Sequence, residues 1–273
     1  MRGLTINAIT NTTNEGEELV PVEKSELVDS FRHIMDIEPI PRFLSILGKI
    51  AASNLKLAEK RVELIEEYID LAFRWQFFPL HIHDLFTIRP AQIRGEITEF
   101  LRLVSGFQPR RALEIGTALG GTLYLFSKVA ASDAVVISID LPGGGFGGGY
   151  PKWKIPLYES FAREGQRIHL IRENSHEPSV LDQVRKVLTG EKLDLLFIDG
   201  DHRYEGVRTD FEMYAPLVRR GGLVALHDIV PHPLMSGCEV SDFWSEIKGS
   251  HRYSEIVNGT SQNRAGIGVL YIE

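Results

Sequence analysis

A single cysteine, Cys238, stands in 273 residues, so the chain can form no internal disulfide and no multi-cysteine zinc or iron–sulfur site. No apolar run approaches the roughly 18 residues of a membrane span. The opening residues, MRGLTINAITNTTNEGEE, lack the apolar core of a signal peptide. These absences predict a cytoplasmic protein with no membrane partner. Positive charge is also scarce. There are 30 Lys and Arg against 37 Asp and Glu, and the net charge of −7 disfavours a broad phosphate-binding surface. The expected partner is therefore a small molecule and not nucleic acid. No internal repeat is visible, and the one biased segment is 142–150. What is present, 43% hydrophobic and 25% charged residues, suits a folded domain with a sizeable core.

Residues 1–20 are polar and rich in Asn and Thr, and they read as a loose arm. From Val22 to about Ser105 the pattern is helical. Within 42–75, Ile46, Leu47, Ile50, Leu57, Val62, Ile65 and Ile69 recur near the 3.6 period, which predicts one helix of about 30 residues, roughly 45 Å long. Such a helix is expected to pack on a partner subunit or cap the next domain. Residues 1–90 are thus read as an arm with a helical cap or homo-oligomerisation region. A helix is expected over 91–104. After Pro109 short apolar runs at 111–115, 134–139, 168–172, 193–198 and 222–226 alternate with candidate helices at 121–131, 157–164, 179–188 and 204–218. Repeated strand–helix units predict an α/β, doubly wound, Rossmann-like sheet over residues 91–273. Runs at 252–257 and 266–272, with no helix between them, predict an antiparallel hairpin at the C-terminal edge.

The first strand runs into Glu114-Ile115-Gly116-Thr117-Ala118-Leu119-Gly120. Glycines between a strand and a helix bring backbone N–H groups close to a ligand. The spacing is E-x-G-x-x-x-G and not the G-x-G-x-x-G of a pyrophosphate loop, which suits a ligand with an amino group and little phosphate, such as S-adenosylmethionine. Asp140 ends the second strand, with Leu141 beside it, and is placed to accept two ribose hydroxyls. Six glycines in 143–149 read as a mobile lid, with Phe146, Tyr150 and Trp153 as covers. The third strand ends in Glu173-Asn174-Ser175-His176, whose Ser175 either meets a purine edge or caps the next helix. The richest segment is Ile198-Asp199-Gly200-Asp201-His202, beside His227-Asp228 on the next strand. Asp199, His227 and Asp228 form a set that could hold Mg²⁺ or Mn²⁺, which would acidify a substrate hydroxyl, with His202 as proton acceptor. His232 and Cys238 in the following loop read as structural or exposed, and the His81–His83 pair as a loop feature.

The segments ALEIGTALGG, VVISIDLPGG, IDGDHRYEGV and GGLVALHD, with the closing hairpin, resemble class I S-adenosylmethionine-dependent methyltransferases over residues 91–273. The resemblance is to the small-molecule O-methyltransferases that include the cephalosporin-hydroxylase-like and macrolide-sugar groups. It implies methyl transfer to a hydroxyl of a sugar- or phenol-like substrate. It also implies that Glu114, Gly116, Thr117 and Gly120 hold the methionine moiety, with Asp140, Leu141, Ser175 and Asp199 along the rest of the cofactor. Asp199 and Asp228 match metal-ligand positions of the more distant catechol-type relatives. His202 stands where those carry a catalytic lysine, and His227 where they carry a carboxylate. The residues alone leave two alternatives open, a nicotinamide-dependent oxidoreductase and a non-catalytic binding protein.

Overall fold

Helix α1 (Arg42–Glu59) opens the described part of the chain, which the computed structural model gives as residues 42–77, 87–146, 148–233, 236–259 and 262–273. The arm at 1–20, the start of the helical region and the His81–His83 pair lie outside these residues. The expected long helix over 42–75 is two helices, α1 and α2 (Ile65–Arg74). The break has a local cause. The Glu67 carboxylate accepts the Glu63 and Leu64 backbone N–H groups at 2.8 and 3.0 Å, so these donors start a new helix and do not continue the old one. Helix α3 (Arg94–Phe107) follows.

From there strands and helices alternate: β1 (Arg111–Ile115), α4 (Gly121–Val129), β2 (Val135–Ile139), α5 (Ile155–Glu159), β3 (Arg167–Ile171), α6 (Pro178–Leu188), β4 (Leu193–Ile198), α7 (Tyr204–Tyr214) and β5 (Val218–His227). The chain closes with α8 (Val240–Ile247), β6 (Arg252–Ile256) and β7 (Ile267–Tyr271). The seven strands form one sheet in the order β3-β2-β1-β4-β5-β7-β6. The first five run parallel, β7 pairs antiparallel with β5, and β6 pairs antiparallel with β7. This is the expected Rossmann-like fold with its C-terminal hairpin. Sequence periodicity passed over α8. Strands β1 and β4 are neighbours although far apart in sequence, so the crossovers on either side diverge and leave a crevice at their carboxyl ends.

Both faces of the sheet are covered, which is why β4 is buried along its whole length. On one face Phe197 of β4 meets Phe100 of α3 and Phe126 of α4 at ring distances of 5.6 and 5.4 Å. On the other, Leu196 and Ile198 pack with Val184, Val207 and Trp244 of α6, α7 and α8. Leu47, Ala51 and Leu55 of α1 and Ile69 and Ala72 of α2 join the first of these cores. Gly48 allows that approach, since a Cβ there would lie 2.0 Å from the Trp153 carbonyl oxygen. Glu59 at the end of α1 also pairs with the buried Lys128 of α4 at 2.7 Å. No described helix is long and apolar enough to cross a membrane.

Candidate active site

At the carboxyl ends of β1, β2, β3 and β4 lies a cavity of about 550 Å³. Gly116, Asp140, Leu141, Ser175, Asp199 and His202 all line it, so six positions chosen from sequence border one space. Its volume is that of a small-ligand site. Asp140 ends β2, and its carboxylate accepts the Ala118 N–H at 2.7 Å and the Gly149 N–H at 2.8 Å. These bonds tie the loop after β1 to the end of the glycine segment. Burial outweighs them and pushes Asp140 up to about 6.

Glu114, Thr117 and Gly120 are not among the residues lining the cavity. Glu114 is fully buried, accepts a hydrogen bond from Ser138 Oγ at 2.8 Å, and burial raises its carboxyl well above the usual range. It lies under the loop, outside the cavity lining. A carboxylate on the strand itself points across the sheet, and Ser138 of β2 is its neighbour there. The glycines of the loop are required by packing within the chain. A Cβ at Gly116, where φ is +98°, would lie 1.9 Å from the Asp199 carbonyl oxygen, and one at Gly120 would strike the Tyr158 ring at 2.6 Å. Contact within the chain requires them, at the points where β1 passes β4 and where α4 meets α5.

Phe146 of the glycine segment stacks on the His202 ring with 4.8 Å between centroids. Tyr150 and Trp153, expected as covers, are buried at 2% and 1% exposure and belong to the core. They follow the segment into the turn that packs on α1.

The acid–imidazole cluster forms as the strand ends suggest. His227 Nδ1 lies 3.1 Å from Asp199 Oδ1 and 3.3 Å from Asp228 Oδ1. His202 spans the same two acids, with Nε2 3.4 Å from Asp199 Oδ1 and Nδ1 3.4 Å from Asp228 Oδ2. Asp228 takes a left-handed backbone, φ +63°, which turns its carboxylate back toward β4. Both acids are nearly buried. Burial opposes charge on Asp199, yet the imidazoles outweigh it and hold this carboxyl below the usual range. Burial likewise opposes a charged His227, and the two carboxylates overcome it and raise that imidazole. Ligand atoms of Asp199, His227 and Asp228 lie within 4.8 Å of one another. A divalent cation would displace the proton from His227, and the two carboxylates with a neutral imidazole then carry −2, which the ion cancels, so the donor set fits such an ion. An imidazole donor suits Mn²⁺ better than Mg²⁺.

Three contributors escaped the sequence. Gln92 is buried and its Nε2 donates to Asp199 Oδ2 at 2.5 Å, while its Oε1 accepts from Thr122 Oγ1 at 2.9 Å. It lies 107 residues before Asp199 and belongs to no motif, so nothing local marked it. His232 and Cys238, read as structural or exposed, stand at the cluster: His232 Nε2 is 3.2 Å from Asp228 Oδ1, and Cys238 lies within reach of His202 and Asp228.

Residues 113–229 match a family model described as a methyltransferase domain. Among solved structures, the O-methyltransferase from Bacillus cereus in complex with SAH is 17% identical with a TM-score of 0.51, covering 80% of this chain and 97% of that one. At that identity the likeness is one of fold. Among curated proteins, the uncharacterized protein y4gI of Sinorhizobium fredii is 29% identical over 151 residues, 53% of this chain. The uncharacterized protein R132 of Acanthamoeba polyphaga mimivirus is 32% identical over 68 residues, 25% of this chain. The matches span only 16% and 30% of the lengths of these two relatives.

Proposed function

We propose that this chain, whose residues 113–229 match a methyltransferase-domain model, is an S-adenosylmethionine-dependent methyltransferase acting on a hydroxyl of a small sugar- or phenol-like molecule. One observation carries the reading. A proton acceptor, His202, and Asp199 line the same cavity as Gly116 and Asp140, and His227 and Asp228 complete a cation-binding set with that Asp199 carboxylate. When bound, S-adenosylmethionine would supply an electrophilic methyl on a sulfonium, and a divalent cation at the donor set would lower the pKa of the acceptor hydroxyl.

The chain's own residues do the rest. Asp140 accepts the ribose hydroxyls, with Leu141 and Ser175 along the nucleoside. The loop from Gly116 to Gly120 borders the methionine moiety, while Glu114 acts beneath it through Ser138. Gln92 and His227 fix the Asp199 carboxylate from two sides. His202 would receive the hydroxyl proton as the methyl passes from sulfur to the acceptor oxygen, and the donor would leave as a neutral thioether. Phe146, stacked on His202, shields that ring from water.

Assay in excess EDTA tests the cation. Activity should vanish and return on adding Mn²⁺. Full activity in EDTA would remove the cation from the scheme and leave His202 as the only aid to deprotonation.

A further inference from the structure

The acids and imidazoles described above account for one donor set. A second one overlaps it. Ligand atoms of His202, Asp228 and Cys238 also lie within 4.8 Å of one another. Asp228 belongs to both sets and offers each a different oxygen: Oδ1 faces His227 at 3.3 Å, and Oδ2 faces His202 at 3.4 Å. A carboxylate divided in this way can serve two ions, or either one alone. The loop that carries Cys238 is fixed beside His202. The Glu239 N–H donates to the His202 carbonyl oxygen at 2.8 Å, and the Glu239 carboxylate accepts the Tyr204 N–H at 2.8 Å.

We propose that His202, Asp228 and Cys238 form a second metal site, selective for a thiophilic divalent cation of the zinc kind. One nitrogen, one oxygen and one sulfur donor with a fourth position left to water is a zinc-like set, whereas Mg²⁺ and Mn²⁺ take oxygen and shun sulfur. The free thiol is half-buried. An ion that binds it as thiolate displaces the thiol proton to solvent. On the methyl-transfer reading given above, an ion held here takes the His202 lone pair and leaves no proton acceptor, so zinc would silence the enzyme while manganese supports it.

Cys238 is the only cysteine in the chain, which makes the test direct. Full-length protein is alkylated with iodoacetamide with and without ZnCl₂, and titrated in parallel with CoCl₂. Zinc should slow alkylation of Cys238 about tenfold or more, since only free thiolate reacts. Cobalt should give a sulfur-to-metal charge-transfer band that Cys238→Ser abolishes. His202→Ala should remove most of the zinc protection, whereas His251→Ala, on the far edge of the sheet, should leave it intact. Unchanged alkylation with zinc, or a cobalt spectrum identical in wild type and Cys238→Ser, overturns the site. These readouts require neither methyl donor nor acceptor, so the site stands or falls separately from the methyl-transfer reading.

Discussion

Asp140 and His202 divide the proposed chemistry between holding the cofactor and moving the proton, and each makes a measurable demand. Asp140 ionises near pH 6 in the free protein, because burial favours its neutral form. The ionised form accepts two ribose hydroxyls better than the protonated one. Affinity for S-adenosylhomocysteine should therefore fall as the pH drops through about 6, and Asp140→Asn should bind weakly with a flat pH profile. The sign is opposite for the fold without ligand. The native state holds the proton more tightly than the unfolded chain between 3.8 and about 6, so this group's contribution to stability is lost as pH rises through that window. A wild-type dissociation constant that does not vary from pH 5 to 8 would remove Asp140 from the ribose. For His202, replacement by Ala should lower kcat by about 10²–10⁴ while leaving cofactor affinity nearly unchanged. Steady-state kinetics beside a binding titration separates the two, and an equal loss in both would make His202 a structural residue.

At the scale of elements, α1 shows how one missing side chain positions a helix. A Cβ at Gly48 would meet backbone that cannot rotate away, the Trp153 carbonyl, so Gly48→Ala should push α1 off the domain. The expected cost is about 1–3 kcal/mol, the range for overpacking a tight contact, and urea unfolding measures it. A neutral result would mean that α1 is loosely held. The elements also show what a sequence can disclose. Strands β1, β2, β4 and the second half of β5 were legible because strands covered on both faces read as mostly apolar runs, and β3, at the edge, from its place in the alternation. The terminal hairpin was legible because no helical period separates its strands. The break between α1 and α2 was not, since the apolar spacing continues across it and a carboxylate–backbone bond makes the stop. The site divides in the same way. Asp199, His202, His227 and Asp228 announce themselves at strand ends, where a parallel sheet gathers its chemistry. Gln92 reaches Asp199 from before α3, Glu114 turns under its loop, and Cys238 arrives from a loop beyond β5. These are tertiary placements without a local pattern.

Over the whole molecule, one face of α1 turns away from the core. Ile46, Ile50 and Leu57 are 54%, 51% and 60% exposed, while Leu47, Ala51 and Leu55 face inward. The proposed homo-oligomer would cover this outer stripe, since contiguous exposed apolar residues mark association surfaces. Ile50→Glu should then lower the mass measured by light scattering without lowering thermal stability. A wild-type protein that is monomeric at high concentration would leave the stripe without that role. The cavity at the β1–β4 crevice is proposed to take a sulfonium nucleoside and not a dinucleotide. Calorimetric titration of the full-length chain with S-adenosylhomocysteine and with NAD tests it directly. One S-adenosylhomocysteine should bind per chain, with affinity weakened by roughly 1.5–3 kcal/mol in Asp140→Ala, the scale of a lost charged hydrogen bond, and NAD should give no heat. Binding of NAD with none of S-adenosylhomocysteine would contradict it.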